Sequence, residues 1–174
     1  MTRAWCRRNA LAIGAVAVLL PLTGLTISGV EWWQMNQAQP VFATTVAAGD
    51  TVDYAGGTWG PAVVRSQAPG PDDDLPTDGR LLVVEVPVDP HGKILGCGVP
   101  ALRELDGMQR RWQNALGDVD WDYRNPTVCP SDSTAPFTIE VPYLLPDGVS
   151  GPLGLDFALA DELPGFLRLG VIVP

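Results

Sequence analysis

An uncharged run near the N-terminus constrains this chain more than any other feature. Residues 10–30, ALAIGAVAVLLPLTGLTISGV, contain no Asp, Glu, Lys, Arg or His. A helix rises about 1.5 Å per residue, so the run reaches roughly 30 Å, the thickness of a bilayer's hydrocarbon core. Arg3, Arg7 and Arg8 precede it, Glu31 follows it, and the next basic residue is Arg65. The positive-inside bias predicts a cytoplasmic tail over residues 1–9, a transmembrane signal-anchor over 10–33, and everything later on the outer side of a cell membrane. Trp32 and Trp33 suit the outer interface, where an indole is half buried and still donates a hydrogen bond. A cleaved signal peptide is the rival reading. The run is longer than the usual core of such a peptide, and no Ala-x-Ala site closes it. Cys6 lies before the run and is expected as a reduced cytoplasmic thiol, not a lipoprotein cysteine.

The anchor divides the charge. All twenty acidic residues fall at or after Glu31 together with eight basic ones, a net charge of −12 outside against −9 for the whole chain. Such a surface argues against nucleic acid and against anionic headgroups, and it permits cationic partners or divalent metals. Residues 34–43 (QMNQAQPVFA) lack a pattern and read as a stalk. Residues 44–174 remain, enough for one extracytoplasmic domain with a real core. Its only cysteines are Cys97 and Cys129. An oxidising exterior predicts that they pair, closing a loop of about 33 residues worth roughly 3–4 kcal/mol on the chain-entropy model. Free thiols or a metal pair are the alternative, but a single His and no Cys-x-x-Cys argue against zinc.

The domain reads as strands. Residues 44–54 are rich in Thr and Val, and Ala55-Gly56-Gly57 can turn. Residues 58–66 give a second strand, with Pro61 implying an edge or bulge. Residues 67–79 form a Pro- and Gly-rich loop. Residues 80–89 are the clearest strand: Leu82, Val84, Val86 and Val88 alternate with Leu81, Val83, Glu85 and Pro87, which predicts one face in the core. Residues 99–117 are ambiguous. Leu102, Leu105, Trp112 and Leu116 could share a helical face, but Asp106-Gly107 favours two strands and a turn. Residues 118–136 are irregular. Residues 137–143, 153–159 and 167–173 alternate again. Short strands between turn residues predict an all-β sandwich.

Three pieces carry a resemblance: LPTDGRLLVVEVPVD (75–89), ALRELDGMQRRW (101–112) and PFTIEVPYLLP (136–146). With the anchor, they resemble the small immunoglobulin-like domains of extracytoplasmic, single-pass membrane proteins of the actinobacterial type. The resemblance covers most of residues 44–174. It implies an immunoglobulin-like β-sandwich that binds or scaffolds, and it carries no functional residue to transfer.

Candidate chemistry is sparse. His91, in a Pro-His-Gly turn, is expected as an exposed turn residue. Ser131 and Ser133 flank Asp132 without a nucleophile-elbow pattern. Asp118, Asp120 and Asp122 copy the first ligands of a calcium loop, but Tyr123 and Cys129 stand where that loop needs Gly and Glu. Asp72, Asp73 and Asp74 form a second acidic cluster. Nothing marks one carboxylate pair as a glycosidase site. Trp112 is expected in the core against Cys97–Cys129. Trp121 and Tyr123 are candidate interface anchors, with partial burial against a neighbouring loop as the alternative for Trp121. The expectation is a non-enzymatic accessory domain, without a cofactor, that contacts another membrane or envelope protein. A domain binding a small molecule, lipid or calcium is the alternative, and an envelope hydrolase the least favoured.

Overall fold

The computed structural model describes residues 3–67 and 79–173. The chain falls into two compact units, Met1–Gln39 and Pro40–Pro174.

The first unit is helical, with α1 over Arg3–Arg8 and α2 over Ala10–Gln37. Within α2, Ala10–Met35 is long and apolar enough to cross a membrane, and none of its most apolar stretch is buried by protein. Two of its hydroxyls bond back to the helix's own carbonyls. The Thr23 hydroxyl donates to the Leu19 carbonyl at 2.7 Å and the Thr26 hydroxyl to that of Leu22 at 3.0 Å. A helix surrounded by hydrocarbon requires this kind of local pairing.

The second unit is built from strands. The first five are β1 (Phe42–Val46), β2 (Val52–Tyr54), β3 (Gly57–Trp59), β4 (Val63–Gln67) and β5 (Gly79–Asp89). The next five are β6 (Ala101–Glu104), β7 (Arg111–Trp112), β8 (Phe137–Pro146), β9 (Pro152–Phe157) and β10 (Gly165–Ile172). Among the described residues, one sheet runs β1-β10-β9-β6-β7, with β1 parallel to β10 and the other pairs antiparallel. The other sheet centres on β5. Strand β8 follows one edge of β5 from Gly79↔Pro146 to Val88↔Phe137. The opposite edge is shared: β4 pairs with Leu81 to Glu85, and β3 with Val88 and Asp89.

Both sheets contribute to one core. Leu82, Val84, Val86 and Val88 of β5 and Ile139, Val141, Tyr143 and Leu145 of β8 come from one sheet; Leu155, Phe157, Leu167 and Leu169 come from the other. Trp59 is wholly buried among them, its ring 5.1 Å from that of Phe157. Its indole N–H donates to the Tyr54 carbonyl at 3.0 Å, so the large apolar body is buried without losing its polar bond. The Tyr143 hydroxyl likewise donates to the Pro100 carbonyl at 2.7 Å.

Four sequence expectations change in detail. The first strand stops at Val46, and Gly49 takes a φ of +89° before the short β2 begins. The second strand is broken into β3 and β4 at Gly60-Pro61, where Gly60 takes a φ of +85°. Residues 99–117 form a hairpin and not a helix, with Leu102 opposite Trp112 and Arg103 opposite Arg111. Its connection is longer than the expected Asp106-Gly107 turn, because Gln109 as well as Gly107 adopts positive φ. Glu104 closes it: its carboxylate accepts from Arg110 Nη2 at 2.9 Å and Nε at 3.1 Å. Finally, β5 is buried on both faces over its first half. Leu81 and Val83, which point away from the shared core, are as buried as Leu82 and Val84.

The irregular chain between β7 and β8 covers the remaining edge of β8. The Ala115 N–H donates to the Pro142 carbonyl at 2.8 Å, and the Glu140 N–H donates to that of Pro126 at 3.0 Å. An edge strand left open would be a template for pairing with other chains, and this segment occupies it.

Candidate functional site

The Cys97–Cys129 pair organises a concave surface. The two residues stand at disulfide distance, with Sγ–Sγ 2.06 Å and Cα–Cα 5.1 Å. The Cys129 N–H donates to the Cys97 carbonyl at 3.3 Å, Cys97 makes an isolated antiparallel bridge to Leu159, and the Ala160 N–H donates to the Gly96 carbonyl at 3.3 Å. These bonds hold the short run Ile94-Leu95-Gly96-Cys97-Gly98 between residue 129 and residues 159–160. An open groove of about 500 Å³ results. Its walls include Ile94, Leu95, Ser131, Leu159 and Leu163 together with the disulfide. Leu95 and Leu159 are buried, whereas Ile94 is 60% exposed. Nothing stands within 4 Å of where a Cβ would lie on Gly96 or Gly98.

Three exposed carboxylates adjoin the groove's lining in sequence. Asp132 follows the wall residue Ser131, and Asp161 and Glu162 lie in the 3₁₀ turn Ala160–Glu162 between Ala160 and Leu163. Among the described residues these three carboxylates make no ion pair. Burial pushes the Tyr54 phenol above its ordinary range, and the nearby Glu162 carboxylate pushes it further. Lys93, the residue before Ile94, carries its ammonium over Gly56, 2.6 Å from where a Cβ would be.

A second concavity, about 290 Å³, lies near the β2–β3 hairpin and includes Thr58, Gly60, Asp89 and Phe137. A polar string borders it. The Thr58 hydroxyl donates to Asp53 Oδ1 at 2.5 Å and meets His91 Nε2 at 2.8 Å. The His91 N–H donates to Asp89 Oδ1 at 2.9 Å, while His91 Nδ1 is 3.6 Å from the same oxygen. The types suggest a nucleophile, base and acid, but the hydrogen bonds run the wrong way. The Thr58 hydroxyl has one proton, and giving it to Asp53 leaves none directed at His91 for a base to take. The 3.6 Å separation is too long for the orienting bond of a triad. The string ties the hairpin to the turn after β5. His91 is exposed in that turn, as expected, with a φ of +50°.

The other sequence candidates are not brought together. Asp118, Asp120 and Asp122 lie on irregular chain and not on one strand face. Asp122 pairs with Arg124, Oδ2 to Nε 2.5 Å. Among the described residues no three His, Cys, Asp or Glu side chains gather to hold a metal. Asp72, Asp73 and Asp74 lie outside the described residues. Trp121 is only 9% exposed, so it is a packed residue and not a free anchor; its indole N–H has no acceptor among the described residues. Tyr123 is 65% exposed and remains available for contact. Trp112 packs at the margin of the core, with the Arg110 guanidinium 5.4 Å over its ring. The residue at the centre is Trp59.

Two features escape the sequence reading. One is Glu140, 8% exposed, whose carboxylate accepts from Arg65 Nη2 and from Asn125 Nδ2 at 2.7 Å. The other is the groove itself. Its one local signal is Ile94 beside Leu95, because successive side chains of extended chain point to opposite sides and both cannot enter one core. Comparison with protein-family models, curated proteins and solved structures finds no match to this chain.

Proposed function

We propose that this chain is a membrane-anchored, non-enzymatic interaction domain. Residues 1–9 are cytoplasmic, residues 10–33 form the anchor, and an immunoglobulin-like β-sandwich outside the membrane contacts another membrane or envelope protein. The carrying observation is the open apolar groove beside Cys97 and Cys129, with Ile94 exposed within it. Apolar surface gathered in a concavity is surface that gains by being covered.

Other observations support the placement. Arg3, Arg7 and Arg8 lie before the apolar helix and Glu31 after its most apolar part. Trp5 and Trp32 are separated by a helical rise of roughly 40 Å, close to the distance between the two interfaces of a bilayer. A cysteine pair at disulfide distance suits an oxidising exterior. Two sheets with a shared core suit a β-sandwich. A small apolar ligand is the second reading. The groove's volume favours it, but a ligand pocket normally encloses most of its ligand and this groove is open.

The test is capture from native membranes in mild detergent, using the full-length protein and Ile94→Gln. A stoichiometric partner should copurify with the parent. It should be reduced at least about tenfold with Ile94→Gln, consistent with losing the burial of one aliphatic side chain. Both proteins should unfold at the same temperature, because Ile94 is exposed. Equal capture by both would contradict the groove as the contact.

A further inference from the structure

Resting on the reading of the groove as the contact surface, we infer that its occupant is an extended polypeptide segment in which one apolar side chain is flanked by Lys or Arg.

The groove combines two requirements. Its floor and walls, Leu95, Leu159, Leu163 and Ile94, are apolar and ask for an apolar side chain. Asp132, Asp161 and Glu162, exposed residues next in sequence to the wall residues Ser131, Ala160 and Leu163, carry carboxylates with no ion pair among the described residues. Lys93, which precedes the wall residue Ile94, is directed over Gly56. The chain after the anchor carries nineteen acidic and eight basic residues, so the wider field has the same sign as these carboxylates. A phosphate- or carboxylate-bearing ligand entering this groove meets repulsion at close range and at long range. A cation meets attraction at both, and that complementarity fixes partner choice and association rate more than it adds raw affinity.

The glycines favour a polypeptide over a compact cationic molecule. Gly96 and Gly98 leave the space above the backbone empty, so another backbone can approach closely along residues 94–98. An extended segment there lowers one side chain onto Leu95 and Leu159 and holds its neighbours outward, because alternate side chains of extended chain point opposite ways.

The experiment is selection from a phage-displayed library of random nonapeptides against the full-length protein in nanodiscs of uncharged phosphatidylcholine. Counter-selection uses the triple variant Asp132→Asn, Asp161→Asn, Glu162→Gln. Enriched sequences should place Leu, Ile, Val or Phe within two positions of Lys or Arg. A synthetic peptide from the enriched set should bind the triple variant and Ile94→Gln at least tenfold more weakly than the parent. Its affinity for the parent should fall steeply with added salt, and that for the triple variant should not. The substituted residues are exposed, and matching unfolding temperatures verify that the variants are folded. Enrichment without basic residues, equal binding to the triple variant, or no enrichment over counter-selection would overturn the inference. If partner capture still depends on Ile94 in those cases, the contact reading stands and only the cationic occupant falls. If capture does not depend on Ile94, both fall.

Discussion

Strands β5 and β8 and the irregular segment over residues 113–136 are neighbours held by different means. The strands form a continuous ladder whose apolar side chains enter a core shared with the second sheet. The segment has no strand and is fixed at a few points: Ala115 to Pro142, Pro126 and Asn125 to Glu140, and Cys129 to Cys97. Many weak contacts hold the first region and a few strong ones hold the second. Burial stabilises the framework cooperatively, whereas the segment depends on individual tethers that one substitution can remove.

That contrast orders the expected effects. Trp59→Ala should cost about 3–5 kcal/mol, because a fully buried indole is replaced by a cavity. Urea denaturation should show both sheets losing stability together. A loss confined to β2 and β3 would mean the core is not one cooperative unit. The double substitution Cys97→Ala, Cys129→Ala should cost about 3–4 kcal/mol. Here the distribution matters more than the size. Hydrogen exchange should rise first over 113–136, with β5 amides protected until global unfolding. Equal loss of protection in β5 would erase the distinction between the two regions.

Smaller effects sharpen it. Arg65→Ala should cost about 1–3 kcal/mol, because Glu140 keeps Asn125 but loses its charged partner in a buried position. Tyr143→Phe should cost about 1 kcal/mol by leaving the Pro100 carbonyl unpaired. Burial, with the Asp156 charge second, pushes the Tyr143 phenol well above its ordinary value of 10.0. Its neutral form is the one the fold favours. That contribution is complete below the ordinary tyrosine range and is lost as pH rises above it, so the alkaline decline in stability should be shallower in the Phe variant. The smallest effect is at Glu104. The Arg110 side chain holds its carboxyl below the ordinary value of 4.5. The β6–β7 connection should therefore be at full strength above that value and loosen as pH falls through the lower folded value. Glu104→Gln should remove this dependence in amide exchange over 105–110.

Local patterns made much of the framework legible. The uncharged run specified a helix long enough to cross a membrane, and period-two alternation located β5, β8, β9 and β10. Asp106-Gly107 tipped residues 99–117 toward a hairpin. What stayed hidden depends on distant parts of the chain. Burial of Leu81 and Val83 on the second face of β5 is not implied by their own alternation, which looks the same for a solvated face. Trp121 sits between two aspartates, a surface pattern, yet irregular backbone lets it turn inward while Asp120 and Asp122 do not follow. Trp112 and Trp59 were indistinguishable by type. Only strand pairing puts Trp59 opposite Val88, at the centre. The groove needs residues 94–98, 129–131 and 158–163 together, and their juxtaposition follows from a disulfide and one bridge.

The proposed contact surface is the groove at Ile94. Photo-crosslinking in native membranes from a photoreactive residue at position 94, with one at Val63 as an exposed control on β4, tests it most directly. A discrete protein adduct from position 94, absent from position 63, is the predicted result. No adduct from 94, or the same adducts from both positions, would contradict that assignment.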